Sequence, residues 1–598
     1  MKFIEGFNYK KNALATSILW FVSIYLTSYL LLFASMGIDF TDEGLYLLEA
    51  GGMNTNAVWA VPYGKVLRPL FFISDYNIGF YRALSFSILA FLHILIFREV
   101  LSLSQNKIQN INTSMIFGAI LLLVSFLFFN GLFIRTPGYN YVNYLSIVLF
   151  VYGVVRLKNA TSQEHYHNEL IILLSMAIST TAKPTTTIVM LLALAVLHFS
   201  RYIKFRIKPV NSYTFVGILG ALLIIYAFYP AWIYMYKFIF LDKEHQIVFL
   251  DSQKFSAGLI YPFLGYFKGL LASDLYRIKL VYVLTALMFL TLIIKHFFKK
   301  IPIHKIIFLA LLFTVILITL KKPSALSALL NMAFWMLMIQ HFYILRNKIY
   351  LPLLILTIPF AYVFGTSNSY LMMATHTFPL LFSICIAYYF KTIGNSKFTQ
   401  AGLVIFGLCI FAINFQSPYR TANLVGNSKT VAELTHGTNI RIPKETASQV
   451  EAIKTALIDN GWTSGNEMLC LNYRWSSTLP YFLGANTGNA AMITIFGYQK
   501  SVDVGLTKLR RSGLTKNAWI MYNSKVFDRD ENLNSTWRST DSVEIAKKSA
   551  SYNYQRDTLL SMFYTMNNIN KESYVKVFDN FGYIILKPKN INHTIELI

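Results

Sequence analysis

The chain has 598 residues, of which 53 are Lys or Arg and 28 are Asp or Glu, so its formal net charge is +25. Charged residues make up 14% of the sequence and hydrophobic residues 55%, whereas a soluble domain usually has about 25% charged residues. This composition excludes an ordinary soluble enzyme and a disordered chain, and it is typical of a membrane protein with some soluble mass attached. Nucleic-acid binding is not expected, because the basic residues lie between apolar segments and do not cluster on one face of a soluble domain.

The sequence before residue 416 contains about 13 apolar segments, and a bilayer-spanning helix needs roughly 20 mostly apolar residues. We therefore predict that this portion crosses a membrane many times. The approximate ranges of the segments are 13–36, 80–97, 114–131, 140–155, 168–182, 184–200, 213–236, 278–295, 305–320, 323–344, 349–365, 371–390 and 400–415.

Basic residues cluster in alternate loops between these segments, and the positive-inside rule puts such loops in the cytoplasm. The N-terminus is therefore expected to be cytoplasmic, and an odd number of spans puts the chain after residue 416 outside. The expected location is the inner (plasma) membrane. The cations that set this orientation include Lys10, Lys107, Arg156, Lys204, Lys299, Arg346 and Lys397.

The outer side then carries two sizeable loops, at about 37–79 and 237–277, and a tail at 416–598. The chain is thus divided into a polytopic transmembrane domain, 1–415, and an extracytoplasmic domain, 416–598. Apolar periodicity in the tail predicts a small α/β domain. Its predicted elements are a helix at Gln449–Asn460 and strands at Met468–Asn472, Trp519–Tyr522, Tyr574–Phe578 and Tyr583–Leu586.

Carboxylates are scarce in the membrane portion, and none falls in the middle of a predicted span. This argues against a proton- or ion-coupled transporter, which usually needs ionisable residues near the bilayer centre. Asp42 and Glu43 follow the first span directly. A carboxylate at the lip of a membrane helix can act as a general base, although solvated acids at this position are the simpler interpretation of composition alone.

Cations and polar side chains recur on the same outer side as these acids. A Lys or Arg there could bind the phosphate of a lipid carrier, and the alternative for each cation is an interfacial side chain that snorkels to water. The outer cations are Lys65, Arg68, Arg82 and Lys183, and the polar residues of the outer turns include Tyr139, Asn140, Asn143 and Asn368.

The segment Asp42-Glu43-Gly44-Leu45-Tyr46 is similar to the Asp-Glu-x-x-Tyr that follows the first span in GT-C-type integral membrane glycosyltransferases. The resemblance extends over nearly the whole chain in its order of spans, long first outer loop and outer C-terminal domain. It is closest to the group of lipid A aminoarabinose transferases and protein O-mannosyltransferases. Weaker matches are the stretch from Lys65 to Leu70, which lacks the family's double proline, Arg82 at the start of the second span, and Lys183 at the outer end of the fifth.

The resemblance implies a mainly α, polytopic GT-C bundle and an inverting transfer of a sugar from a polyprenyl-phosphate donor. It makes Asp42 the base and Glu43 the residue that orients the base or the acceptor. Lys65 and Lys183 would hold the phosphate, helped by Arg68 or Arg82. The residues near the sugar or the acceptor would be Tyr46, Tyr139, Asn140, Asn143 and Asn368.

Asn140 and Asn143 stand where some family members carry a second acid, so metal-independent chemistry is favoured and no cofactor is expected with certainty. A divalent metal is the alternative. The acceptor is an envelope glycan, a glycolipid or a protein. A transporter or flippase, or another polysaccharide-assembly protein, is the alternative function. In the tail, the segment Trp475–Tyr481 is expected to be structural, with a role in covering the site as its alternative.

Overall fold

The structure of the chain is a computed structural model that describes residues 43–52, 63–102, 124, 135–159, 164–203, 218, 358–363, 429–432, 439–471, 478–488 and 542–589, with parts of 17–38, 375–384 and 506–524. Most of the predicted spans after residue 204 lie outside these ranges, as does the second outer loop. Asp42 and Asn368 also lie outside the described residues.

The described membrane portion is helical. Its helices are α1 (Glu43–Gly51), α2 (Tyr63–Ile73), α3 (Ile78–Ser102), α4 (Tyr139–Asn159), α5 (Glu164–Ala182) and α6 (Pro184–Ile203). Helices α3 to α6 coincide with the spans predicted at 80–97, 140–155, 168–182 and 184–200. Helix α6 begins with Pro184, which is tolerated at the first position of a helix because its missing N–H would have no partner there.

Two of these helices, over Ile78–Val100 and Tyr139–Leu157, are long and apolar enough to cross a membrane. Helix α6 has an exposed apolar stripe of Ile188, Leu192 and Val196, which are 51%, 58% and 47% exposed. The spacing of four residues puts them on one face of the helix. An exposed stripe of this kind is a surface that water does not favour and lipid does.

Helices α1 and α2 lie within the stretch that the sequence analysis treated as the first outer loop. They pack closely, since a Cβ on Gly64 of α2 would lie 2.5 Å from the carbonyl oxygen of Glu49 in α1. The buried side chains of α2 include Tyr63, Leu67 and Phe71, which are spaced as one helical face. This part of the loop therefore contains a packed pair of helices.

The tail contains a four-stranded sheet in the order β3-β4-β6-β5, formed by β3 (Met468–Leu471), β4 (Trp519–Asn523), β5 (Tyr574–Asn580) and β6 (Tyr583–Pro588). Strands β3 and β4 are parallel, and the other pairs are antiparallel. The four predicted strands of the tail are observed within one or two residues of their expected ends. A separate hairpin joins β1 (Lys429–Ala432) to β2 (Asn439–Ile442).

The sheet is covered by a helix on each face. Alternate residues of β3 point to opposite faces, so that Met468 joins a core with α7 (Lys444–Asp459), while Leu469 joins a core with α9 (Ser542–Met566). Helix α7 begins five residues earlier than predicted, because its buried face already includes Thr446 and Ala447. Helix α9 was not predicted, since its apolar residues are dispersed among polar ones.

The tail packs against the membrane portion. The core beneath α7 is continuous with that of α1 to α6. In addition, Gly37 N–H donates to the Arg441 carbonyl at 2.7 Å, and Arg441 N–H donates to the Ser35 carbonyl at 2.9 Å. Strand β2 is thus hydrogen-bonded to the chain that leaves the first apolar segment. The short, fully buried helix α8 (Thr478–Phe482) also packs on α1.

A testable consequence concerns Tyr552 of α9, whose hydroxyl accepts a hydrogen bond from Asn523 N–H at 3.0 Å and donates to the Leu471 carbonyl at 2.9 Å. We predict that Tyr552→Phe destabilises the tail by about 1–3 kcal/mol, because a buried backbone N–H loses this acceptor. Thermal melting of the purified full chain measures the effect. The control is Tyr554→Phe at an exposed tyrosine of the same helix, and equal melting of the two variants would contradict the assignment.

Candidate active site

The carboxylate of Glu43 is buried in an ion pair with Arg82. Glu43 Oε1 lies 2.9 Å from Arg82 Nη2, and each side chain is only 3% exposed. The same oxygen accepts a hydrogen bond from the backbone N–H of Thr136 at 3.1 Å. Glu43 therefore connects the start of α1 to the start of α3 and to the turn before α4.

Three further donors of Arg82 are also used inside the protein. Its Nε donates to Thr136 Oγ1 at 2.9 Å, and its Nη1 donates to the carbonyl oxygens of Ala34 and Gly37 at 2.7 and 3.0 Å. Five N–H donors in a rigid fork suit an arginine to this role. Arg82 was predicted to help bind the donor phosphate. In the structure its guanidinium holds the backbone and the acid of the first outer loop.

Arg135, in the turn before α4, binds the same stretch of backbone. Its Nη2 donates to the Met36 carbonyl at 2.6 Å, and its Nη1 donates to the Phe33 carbonyl at 3.3 Å. These carbonyls follow helical residues of the first apolar segment. Arg82 and Arg135 together thus bind the backbone of the turn that follows this helix.

Three tyrosines form a cluster beside this ion pair. The ring centroids of Tyr46, Tyr63 and Tyr139 lie 6.0–6.2 Å apart, and each pair meets edge to face. Gly138 allows this approach, because a Cβ there would lie 2.6 Å from the Tyr46 ring. The structure thus brings together Tyr46 and Tyr139, two of the residues predicted near the sugar or the acceptor, and adds Tyr63.

Lys183 lies in the junction between α5 and α6 and is partly buried. Its Nζ donates to the Tyr362 carbonyl at 2.6 Å and lies 6.0 Å from the centroid of the Tyr362 ring. The Tyr362 hydroxyl is hydrogen-bonded to His376 Nδ1 at 2.7 Å. Lys183 is therefore held by residues that belong to a much later part of the chain.

A second buried histidine–tyrosine pair adjoins this group. His93 Nε2 lies 2.8 Å from the Tyr144 hydroxyl, and His93 Nδ1 lies 2.7 Å from the Leu89 carbonyl. The rings of Tyr144 and Tyr362 meet edge to face at 6.3 Å. Polar contacts therefore extend from α3, through α4, to the residues that hold Lys183.

The two predicted phosphate ligands on α2 are exposed. Lys65 and Arg68 are three residues apart and so lie near each other on the helix surface. The guanidinium of Arg68 lies against Gly52 at the end of α1, so close that a Cβ there would be 1.7 Å from Nη2. These cations therefore lie on the helix that packs against α1, which carries Glu43.

Glu49 is a buried acid between these helices. Burial raises the pKa of the Glu49 carboxyl to about 8, and the positive charge of Arg68 opposes this rise. Because the raised pKa favours the protonated form, most of this carboxyl is neutral at pH 7. The acid adds little negative charge to the surface where Lys65 and Arg68 lie.

The two predicted asparagines of α4 differ in their surroundings. Asn143 is 1% exposed, and its Oδ1 has no hydrogen-bond partner among the described residues. Asn140 is partly exposed. Within the part of the chain that the structure describes, no group of three His, Cys, Asp or Glu side chains could hold a metal ion.

Sequence reasoning missed several contacts of this site. No site role was predicted for Thr136, Arg135 or Tyr63, because each stands beside a stronger motif. Tyr362 and His376 were passed over because their partners come from distant segments. A histidine within an apolar segment, as at 93 and 376, is the signal that could have identified the buried polar pairs.

No family model and no curated protein matches the sequence. Among solved structures, the chain is similar to ArnT from Cupriavidus metallidurans in the apo state, with 11% identity, a TM-score of 0.36 and 98% of each chain covered. It is similar to the same protein bound to undecaprenyl phosphate, with 10% identity, a TM-score of 0.34 and 97% of each chain covered.

The chain is also similar to the Archaeoglobus fulgidus oligosaccharyltransferase in complex with zinc and sulfate. That alignment has 10% identity and a TM-score of 0.41, and it covers 85% of this chain and 68% of the other. At these TM-scores the function has to be argued from the chain's own residues.

The ion pair gives a direct test. We predict that Arg82→Met destabilises the folded chain by about 3–5 kcal/mol, because it leaves the buried Glu43 carboxylate without its cation. Adding Glu43→Gln should recover part of this loss. Arg98→Met is the matched control, since Arg98 lies on the same helix and its side chain is 75% exposed. Equal thermal melting of the Arg82 and Arg98 variants would contradict the assignment.

Proposed function

We propose that the chain is a membrane glycosyltransferase that moves a sugar from a polyprenyl-phosphate-linked donor to an extracytoplasmic acceptor. The acceptor is an envelope glycan, a glycolipid or a protein. The chain belongs, on this proposal, in the inner (plasma) membrane, with its N-terminus in the cytoplasm and its tail outside. The bilayer contacts the apolar helices, and the exposed stripe on α6 supports this.

One observation carries the proposal. The start of α1, the start of α3 and the turn before α4 are far apart in sequence, yet they meet at the Glu43 carboxylate. All three were assigned to the outer membrane boundary from sequence alone. A polar centre at that boundary, joined to a tyrosine cluster and flanked by cations, is suited to a substrate with an anionic head and an apolar tail.

The base is assigned to Asp42. Its neighbour Glu43 is already committed to Arg82 and to the Thr136 N–H, which leaves Asp42 as the acid of this motif for proton transfer. Glu43 then acts by fixing the chain beside the base. In the reaction, Asp42 takes the proton of an acceptor hydroxyl, the oxygen attacks the anomeric carbon, and the bond from that carbon to the phosphate oxygen breaks with inversion.

The leaving phosphate is assigned to Lys65, Arg68 and Lys183. Helix α2, which carries the first two, packs against α5, and Lys183 follows the end of α5. Fixed cations stabilise the negative charge that grows on the phosphate as the bond breaks. Arg82 contributes indirectly, since its donors bind Glu43 and the backbone before α1.

Residues around the tyrosine cluster are assigned to the sugar and the acceptor. Tyr46 and Tyr139 belong to the cluster, Asn140 is partly exposed, and the buried Asn143 lies on the same helix as Tyr139. Aromatic rings bind the apolar faces of sugars, and amides bind their hydroxyls. Asn368 is kept in this group from the sequence alone. The proposed chemistry needs no metal ion, and a divalent cation is the alternative.

The assignment of the base is tested by Asp42→Asn. We predict that this variant accumulates normally but transfers sugar about 100-fold more slowly or worse, because general-base catalysis is lost. The measurement is a profile of envelope glycans and lipids in the source organism, with the variant as the sole copy. Asp75→Asn is the matched control, an exposed acid of the same loop whose φ of 49° asparagine also adopts.

A glycan and lipid profile identical for Asp42→Asn and the unmodified chain, at equal protein levels, would overturn the proposed function. If Asp75→Asn alone changed the profile, the base would be misassigned.

A further inference from the structure

The tail supplies a hydrogen bond to the helix that carries the acid motif. The hydroxyl oxygen of Thr478, the first residue of α8, accepts a hydrogen bond from the Gly44 N–H at 3.0 Å. The two residues are 434 positions apart in sequence, and the contact is buried. All five residues of α8 are buried, and α8 packs on α1.

The physical role of this bond follows from where Gly44 lies. Gly44 is the second residue of α1, and the first four N–H groups of a helix have no intrahelical partner. A Ser or Thr oxygen usually satisfies one of them from the residue just before the helix. Here a side chain of the tail satisfies it, so the start of α1 is fixed by a domain at the other end of the chain.

A second contact fixes the other side of the acid motif. Arg441 of β2 exchanges two backbone hydrogen bonds with the chain before the motif, at Ser35 and Gly37. The tail therefore binds the first outer loop at Ser35–Gly37 and again at Gly44. Asp42 and Glu43 lie between these two points. The tail thus contacts the described chain on both sides of the acids.

We infer that Thr478 is a positioning residue for sugar transfer, through which the tail holds the start of α1 and hence the acid motif in its working position. The inference rests on the proposed function. Thr478 does not touch the reacting atoms in this scheme, and it acts through Asp42 and Glu43. Thr478 is thereby assigned a role in the site in addition to its place in the buried helix α8. Positioning matters because a misplacement of about 1 Å can reduce a rate about 100-fold.

The decisive variant is Thr478→Val, which keeps the branched shape and removes the acceptor oxygen. Thr478→Ser keeps that oxygen and should behave like the unmodified chain. Thr487→Val is the matched control, because Thr487 is a buried threonine of the tail whose hydroxyl has no hydrogen-bond partner among the described residues. All three variants are made in the full chain.

The first measurement is amide hydrogen exchange of a peptide that covers α1, in detergent-solubilised protein. We expect Thr478→Val to exchange about fivefold faster at the start of α1, as loss of one capping hydrogen bond implies. We expect Thr478→Ser and Thr487→Val to exchange at the rate of the unmodified chain. This readout does not depend on which reaction the chain catalyses.

The second measurement is the amount of modified envelope glycan or lipid per molecule of protein, with Asp42→Asn run in parallel. We expect Thr478→Val to lower this yield about tenfold at equal protein level, since the acids are less well held, and Thr478→Ser to restore it.

Unchanged exchange in Thr478→Val would overturn the inference whatever Asp42→Asn does. A normal yield in Thr478→Val, beside a lost yield in Asp42→Asn, would overturn the positioning role and leave the proposed function standing. An unchanged yield of modified glycan or lipid in Asp42→Asn would contradict the proposed function itself. It would also contradict the role of Thr478 in sugar transfer.

Discussion

The buried ion pair between Glu43 and Arg82 is the interaction on which the outer part of this protein depends. Removing two charges from water is unfavourable, and their attraction outweighs this only when further hydrogen bonds satisfy both groups. Here they do, since Thr136 donates to the carboxylate and the guanidinium donates to Ala34, Gly37 and Thr136. The pair therefore joins the end of the first apolar segment to α1, α3 and the turn before α4.

Under the proposed function, the two neighbouring acids have different roles. A base has to be held in one position while its own carboxylate stays available to the acceptor. The proposal divides these requirements between Glu43, which is held in the ion pair, and Asp42. The tail adds to the same anchor from outside, through Arg441 and Thr478. The tail and the first outer loop, although far apart in sequence, thus form one packed unit.

Much of the fold was predictable. Helices α3 to α6 follow from apolar segments of spanning length, and strands β3, β4, β5 and β6 follow from short apolar runs of strand length. Helices α1 and α2 were not predicted because they are short. They lie in a stretch that was identified as a loop only from the apolar segments on either side. Helix α9 was missed because the buried residues Tyr552, Leu559 and Phe563 are spaced among many polar ones.

The candidate site was predictable in its residues but not in its pairing. Motif and side of the membrane identified Glu43, Arg82, Tyr46 and Tyr139 from the sequence. Nothing in the sequence indicated that Glu43 and Arg82, 39 positions apart, would bind each other, so Arg82 was assigned to phosphate. Pairings of this kind depend on how helices pack, which local patterns do not encode. The capping of α1 by Thr478, across 434 positions, is hidden from sequence for the same reason.

The outer cations are proposed to bind the phosphate of a polyprenyl carrier, and this is tested by the binding of polyprenyl phosphate to the purified full chain. We predict that Arg68→Met weakens this binding at least about tenfold, as loss of a charge-assisted hydrogen bond implies. We predict no change for Lys516→Met, which removes an exposed cation of the tail, and weaker binding of polyprenyl alcohol. Equal binding of phosphate and alcohol, or equal binding by both variants, would contradict it.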